Sequence, residues 1–163
     1  MIRAIFLDVD GTLISFSTHE IPASALRALA QAHERGVRLF IATGRAANDL
    51  GPLEGIPYDG VVSLNGARCV ANDGRVVSLH PIPRADFERA LALSEEQDFA
   101  MGLELEEGVF VNRVTPDVER VAHMVAHPVP EQTDLRELFG RVECCQLCFY
   151  FDAETQRRGM AEL

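Results

Sequence analysis

The chain opens with four apolar residues, Ala4-Ile5-Phe6-Leu7, that run directly into Asp8-Val9-Asp10-Gly11-Thr12-Leu13. A short continuous apolar run predicts a buried strand of a parallel sheet. Gly11 breaks the run and allows a sharp turn. Ile21-Pro22 introduces a helix predicted over 23–35, with Leu26, Leu29, Ala30 and His33 on one face and Gly36 as its stop. Residues 37–42 form a second apolar strand that ends in Thr43-Gly44-Arg45. Strand, helix and strand at this spacing make a βαβ unit, so the two strands should be parallel. A helix is expected to start over 46–50, and Gly51-Pro52 ends it. A third strand over 61–64 leads into Asn65-Gly66. Apolar runs at 67–71 and 75–79 flank Asn72-Asp73-Gly74, a strong hairpin signal.

After His80-Pro81-Ile82-Pro83 the order changes, and the two prolines stiffen the crossing. A helix is predicted over 84–97 with Phe87, Leu91 and Ser94 on one face. Strands follow at 100–105 and 109–114, joined through Glu106-Glu107-Gly108. Thr115 is placed to cap a helix over 116–126. A short helix is expected over 134–139, a strand over 144–151 and a final helix from 152 to 163. The pattern divides the chain into residues 1–81 and 82–163. Its fold class is α/β: a parallel sheet with a β-hairpin, then a mixed α/β module.

Composition narrows the function. The 163 residues carry 15 basic and 25 acidic side chains, a net charge of −10, which argues against a nucleic-acid partner. All 15 basic residues are arginine, and lysine is absent. No apolar run reaches the roughly 20 residues of a membrane span, and the N-terminus lacks a signal-peptide layout. The four cysteines, Cys69, Cys144, Cys145 and Cys148, do not suggest a disulfide framework at this length, so a cytoplasmic protein with reduced thiols is expected.

The acid pair is the chemically informative feature. Asp8 and Asp10 sit at the carboxyl end of what reads as a central strand, where open α/β sheets bind ligands. Like charges held side by side are costly without a cation or hydrogen bonds, so the pair points to chemistry. An EF-hand is excluded because the glycine and closing glutamate are at the wrong offsets.

Asp8-Val9-Asp10-Gly11-Thr12-Leu13 and Thr43-Gly44-Arg45 resemble the first two motifs of the haloacid dehalogenase superfamily of phosphohydrolases. Ser63-Leu64-Asn65-Gly66-Ala67 and the hairpin resemble its Cof-type branch, mostly sugar-phosphate and related phosphatases. The resemblance implies a partial Rossmann-like core over 1–81, interrupted by a cap over 82–163, incomplete here. It implies an aspartyl-phosphate on Asp8, acid and base work by Asp10, and Mg²⁺ held by the Asp8 carboxylate and the Asp10 backbone carbonyl. Thr43 and the Gly44 N–H would hold phosphoryl oxygens at a helix N-terminus. Asn65 would contact substrate or the cap hinge, and Arg45 would contact substrate or pair with an acid near the hinge. The expected partner is a small phosphorylated metabolite.

Two parts of the family pattern have no match: a lysine that neutralises the phosphoryl group, and an acidic pair on the next core strand. Arg157 and Arg158 precede no recognisable core strand. The chain is therefore expected to be a fragment with little or no activity, with an unpaired edge on its first strand and a tendency to self-associate there. The alternatives are a phosphate-ester-binding or regulatory remnant without turnover, and a receiver-like domain phosphorylated on Asp8. The remaining residues read more blandly. Cys144, Cys145 and Cys148 are expected to be buried as small hydrophobes. Glu104, Glu106 and Glu107 read as a solvated turn, His19 as surface, and His123 and His127 as a poor metal pair.

Overall fold

The computed structural model describes residues 2–15, 17–18, 20–53, 55–125 and 127–152. His19, Arg157, Arg158 and all but the first residue of the helix expected over 152–163 lie outside the described residues. The chain divides into two compact units, Met1–His80 and Pro81–Leu163.

The first unit is built on a five-stranded sheet whose spatial order follows the chain: β1 (Ala4–Leu7), β2 (Arg38–Ala42), β3 (Gly60–Ser63), β4 (Arg68–Ala71) and β5 (Val76–Leu79). β1, β2 and β3 are parallel, while β4 and β5 form the antiparallel hairpin. Helix α1 (Ala23–Glu34) makes the crossover from β1 to β2. Alternation along the strands sends Leu39, Ile41 and Val61 into the core, with Ile5 and Leu7 packed against it. Helix α1 contributes Leu29, but Leu26 and His33 of the expected face are exposed.

Two expectations for this unit are corrected. β1 is an edge strand among the described residues, as the resemblance implied and contrary to the buried central strand that its apolar run alone suggested, and Phe6 is 62% exposed. The continuous apolar run gave no sign of this, because an uncovered strand and a covered one share the same composition. The helix expected over 46–50 does not form. In a helix the Arg45 carbonyl would accept from the Asp49 N–H; here it accepts from Leu64 N–H at 3.1 Å, and Asp49 N–H turns to the Ala46 carbonyl at 3.1 Å. A contact with another strand end has taken the acceptor that helix propagation needs. A short 3₁₀ turn over Gly51–Leu53 follows instead.

In the second unit, β6 (Ala100–Leu105) is central, between β7 (Gly108–Val111) and β9 (Gln146–Tyr150), both antiparallel to it. A two-residue strand that the sequence pattern missed, β8 (Glu131–Gln132), runs parallel to β7. Helix α2 (Arg84–Glu96) buries Phe87, Leu91 and Ser94, the face its spacing predicts. Helix α3 (Pro116–Met124) is capped by the Thr115 hydroxyl, which accepts from Val118 N–H. The short helix α4 (Leu135–Phe139) is capped by Asp134, whose carboxylate accepts from the Arg136 and Glu137 N–H groups. Phe87 stacks on Phe139 with ring centroids 4.1 Å apart. Full burial of a phenylalanine of this kind contributes up to about 3 kcal/mol.

Candidate active site

The parallel pairing of β1, β2 and β3 puts three polar turns at the same end of the sheet: Asp8–Thr12, Thr43–Arg45 and Leu64–Gly66. In the first, the sequence itself sorts the side chains. Val9, Leu13 and Ile14 are buried and anchor the turn, while Asp8 and Asp10, alternating with Val9, face outward. Gly11 at φ +81° makes the reversal, a left-handed conformation that a side chain would strain. The Val9 carbonyl accepts from Leu13 and Ile14 N–H at 3.0 and 2.9 Å, which closes the loop on itself.

The hydroxyl of Thr12 donates to one Asp8 carboxylate oxygen at 2.7 Å. This holds one oxygen of the carboxylate and leaves the other outside that hydrogen bond. Thr12 belongs to the sequence motif, but its role is visible only in the fold. The signal was a hydroxyl four positions after the acid, across a glycine.

Asp10 is held by Arg45. The guanidinium donates through Nε to one carboxylate oxygen at 2.9 Å and through Nη2 to the other at 2.7 Å, a two-point fork. These hydrogen bonds are the main reason the Asp10 carboxyl lies below its ordinary pKa; the charge of Arg45 adds to the shift, and partial burial opposes it. Arg45 is shifted upward by the same hydrogen bonds. Its Nη1 also donates to the Asp49 backbone carbonyl at 3.3 Å and lies 3.6 Å from the Asp49 carboxylate. Arg45 thus pairs with an acid, and that acid is Asp10 of the first turn.

Thr43 is buried, and its hydroxyl accepts the Arg45 N–H at 3.1 Å. Leu64 and Asn65 lie in the left-handed region at φ +49° and +54°, a costly conformation for a leucine. It is held by cross-turn bonds, Leu64 N–H to the Arg45 carbonyl and Asn65 N–H to the Thr43 carbonyl at 3.2 Å. The Asn65 amide covers Gly44 so closely that a Cβ there would lie 3.2 Å from Asn65 Oδ1. Thus Asp10, Thr43, Gly44, Arg45 and Asn65 form one connected cluster, with Asp8 two residues from Asp10 on the same turn. No helix N-terminus stands behind Thr43 and Gly44, which corrects that part of the expectation.

The donor chemistry fits Mg²⁺. The Asp8 carboxylate and the Asp10 backbone carbonyl are hard oxygen ligands, and Mg²⁺ is commonly held by one or two carboxylates with water completing its shell. Among the described residues no group of three histidine, cysteine or acidic side chains is placed to hold a metal.

Elsewhere, Glu104 is not part of a solvated turn. It lies in β6, where Gln146 Nε2 and Cys148 Sγ donate to its carboxylate. Cys144 is buried, whereas Cys145 and Cys148 are half-buried, and all four cysteines are free thiols. A depression of about 430 Å³ beside Glu95, Asn112, Asp134 and Arg136 lies in the second unit and shares no residue with the acid turn. No helix of the described residues is long and apolar enough to cross a membrane.

A βαβ sheet bearing a paired-acid turn beside Thr-Gly-Arg defines a class of hydrolase. The chain belongs to the haloacid dehalogenase-like hydrolase family, which it matches over residues 5–162. Among solved structures it is similar to BT1666 from Bacteroides thetaiotaomicron, described as a phosphatase of that superfamily: 53% identity, TM-score 0.93, with 100% of this chain and 61% of that one covered. It is also similar to BT4131, described as a subclass IIB sugar phosphatase: 28% identity, TM-score 0.80, 98% of this chain and 62% of that one. YkrA of Bacillus subtilis strain 168, named as a candidate phosphatase, is 30% identical over 95 residues, which is 58% of this chain and 36% of YkrA. The chain therefore spans less than two thirds of the length of these relatives.

Proposed function

We propose that this chain carries the nucleophile half of a Mg²⁺-dependent phosphatase acting on a small phosphomonoester, a sugar phosphate or a similar metabolite, and that residues 1–163 alone have low or no turnover. The observation that carries the reading is the juxtaposition of Asp8, locked by Thr12, with the Asp10–Arg45 pair.

The Asp8 oxygen not bonded to Thr12 attacks phosphorus, the P–O ester bond breaks, and an aspartyl-phosphate forms. The leaving alkoxide takes a proton from Asp10, and Asp10 then removes a proton from the water that hydrolyses the intermediate. Thr43, Gly44 and Asn65 orient the phosphoryl oxygens. The Asp8 carboxylate and the Asp10 backbone carbonyl would hold Mg²⁺, which would supply charge neutralisation for the phosphoryl group. Arg45 holds Asp10 ionised, the form needed for the second step, so it must release Asp10 for the first. Residues 1–80 act as part of the core, and residues 81–163 as part of the substrate-selecting cap.

Low turnover follows from charge. Phosphoryl transfer depends on cations around the transferred group. The chain contains no lysine, and the Arg45 fork is already committed to Asp10.

The test is phosphate release from a panel of small phosphomonoesters, with and without Mg²⁺, by the chain and its Asp8→Asn variant. Release at or near background is expected from the chain, and any release should require Mg²⁺ and vanish with Asp8→Asn. Release that survives Asp8→Asn overturns the assigned nucleophile. Vigorous Mg²⁺-dependent release that Asp8→Asn abolishes overturns only the assignment of low activity.

A further inference from the structure

The depression of about 430 Å³ in the second unit is bounded by α2, the residue after β7, and the turn from β8 into α4. Its volume lies in the range of small-ligand sites, roughly 300–1,000 Å³. Leu91 and Leu135, each 2% exposed, supply an apolar floor. The polar groups around it divide into those the fold uses and those it leaves over. The Asn112 side-chain oxygen accepts the Met101 N–H at 2.9 Å, and the Gln132 side-chain oxygen accepts the Val114 N–H at 3.2 Å. Both acceptors must be oxygen, so each amide is locked in one orientation. Asn112 uses one N–H on the Ser94 hydroxyl at 3.4 Å, while the Gln132 NH₂ has no partner among the described residues. One Asp134 carboxylate oxygen accepts the Arg136 and Glu137 N–H groups at 2.9 and 3.1 Å. Its other oxygen and the Thr133 hydroxyl have no partner among the described residues.

Charge selects among ligands. Arg136 is the cation of this lining, and it is committed. Its Nη1 and Nη2 donate to Glu95 at 3.0 and 3.4 Å, and its Nε donates to Glu88 at 3.3 Å. Two carboxylates on one guanidinium leave negative charge in excess, and Asp134 adds to it. The second unit has the same sign as a whole, with 17 acidic residues and eight arginines over 81–163. An anionic ligand is therefore disfavoured. We propose that this depression binds a small organic ammonium, an aliphatic amine that also carries a hydroxyl group. The ammonium donates to the spare Asp134 oxygen, a charge-assisted hydrogen bond. The hydroxyl meets the Gln132 NH₂ and the Thr133 hydroxyl, and the carbons rest on Leu91 and Leu135. The proposal concerns binding within the second unit and does not rest on the phosphatase reading.

The test titrates the 163-residue chain with 4-aminobutan-1-ol at pH 7 and follows backbone and side-chain amide NMR signals. Butane-1,4-diol, the same skeleton without the charge, is the comparison. The Asn112 and Gln132 side-chain amides and the Thr133 N–H should shift along one saturating curve. The diol should bind at least tenfold more weakly, and Gly11 and Thr12 should not move. Asp134→Asn removes the charge but keeps an oxygen that caps α4 equally well, so it should weaken binding at least tenfold in a folded chain. Thr133→Val keeps the backbone bond to the Val111 carbonyl and should weaken binding at least threefold. Glu119→Gln, an equal charge change at an exposed position of α3 outside the depression, should leave it unchanged. Circular dichroism checks that each variant is folded. Equal affinity for diol and amine, full binding by Asp134→Asn and Thr133→Val, the same loss in Glu119→Gln, or no saturating shift up to 50 mM amine overturns the proposal.

Discussion

Arg45 decides the charge state of the site. Because its fork lowers the folded-state pKa of Asp10 below the ordinary 3.8, the stability the pair adds is present above the ordinary carboxyl range. It is lost as the pH falls through the lowered folded value. Both side chains are partly exposed, 24% and 43%, so solvent screening keeps the contribution small. Arg45→Ala should cost under about 1 kcal/mol at pH 7 in urea unfolding, with the gap to the parent closing at a pH well below the ordinary carboxyl range. An unchanged gap at both pH values would remove the pair from the account. Cys148 gives the opposite sign. Burial, with the nearby Glu104 carboxylate, pushes its thiol up to about 12 from 9.0. The unfolded chain releases that proton near pH 9 while the native chain keeps it, so stability should fall as pH rises above about 9. Iodoacetamide at pH 8.5 should label Cys148 at least tenfold more slowly in the native chain than in urea. Asp8, Asp10, Thr43, Gly44, Arg45 and Asn65 were all legible as candidates, because each ends an apolar strand in a polar turn. Which acid Arg45 meets was not, since a 35-residue separation in sequence says nothing of side-chain reach.

At the scale of elements, periodicity read the second unit well. Phe87, Leu91 and Ser94 define the buried face of α2, and Thr115 caps α3, because both signals are local. It failed where a distant group intervened. Ala46 and Leu50 have helical spacing, and both are buried, yet the Leu64 N–H takes the Arg45 carbonyl and the backbone turns instead. β8 is too short to carry a pattern and exists only through its pairing with β7. Close approach of strands is likewise invisible in sequence. A Cβ on Gly60 would lie 2.8 Å from the Val70 carbonyl oxygen, a backbone atom that cannot swing aside. Gly60→Ala should therefore destabilise the first unit by about 1–3 kcal/mol, read as a lower thermal midpoint. An unchanged midpoint would mean that β3 and β4 separate freely.

For the molecule as a whole, the sheet, the hairpin and the change of architecture near His80 follow from strand spacing and turn chemistry. Family membership rests on the match over residues 5–162. The place of β1 at the sheet edge was legible only through the resemblance, since its apolar composition reads equally as a buried strand. The central claim is that three strand-end turns, far apart in sequence, make one receptor for a phosphoryl group. Amide NMR of the chain titrated with inorganic phosphate in the presence of Mg²⁺ tests this most directly. The account predicts that Gly11, Thr12, Gly44 and Asn65 shift together along one saturation curve. Shifts confined to arginines elsewhere, such as Arg136 in the second unit, or separate curves for the three turns, would contradict it.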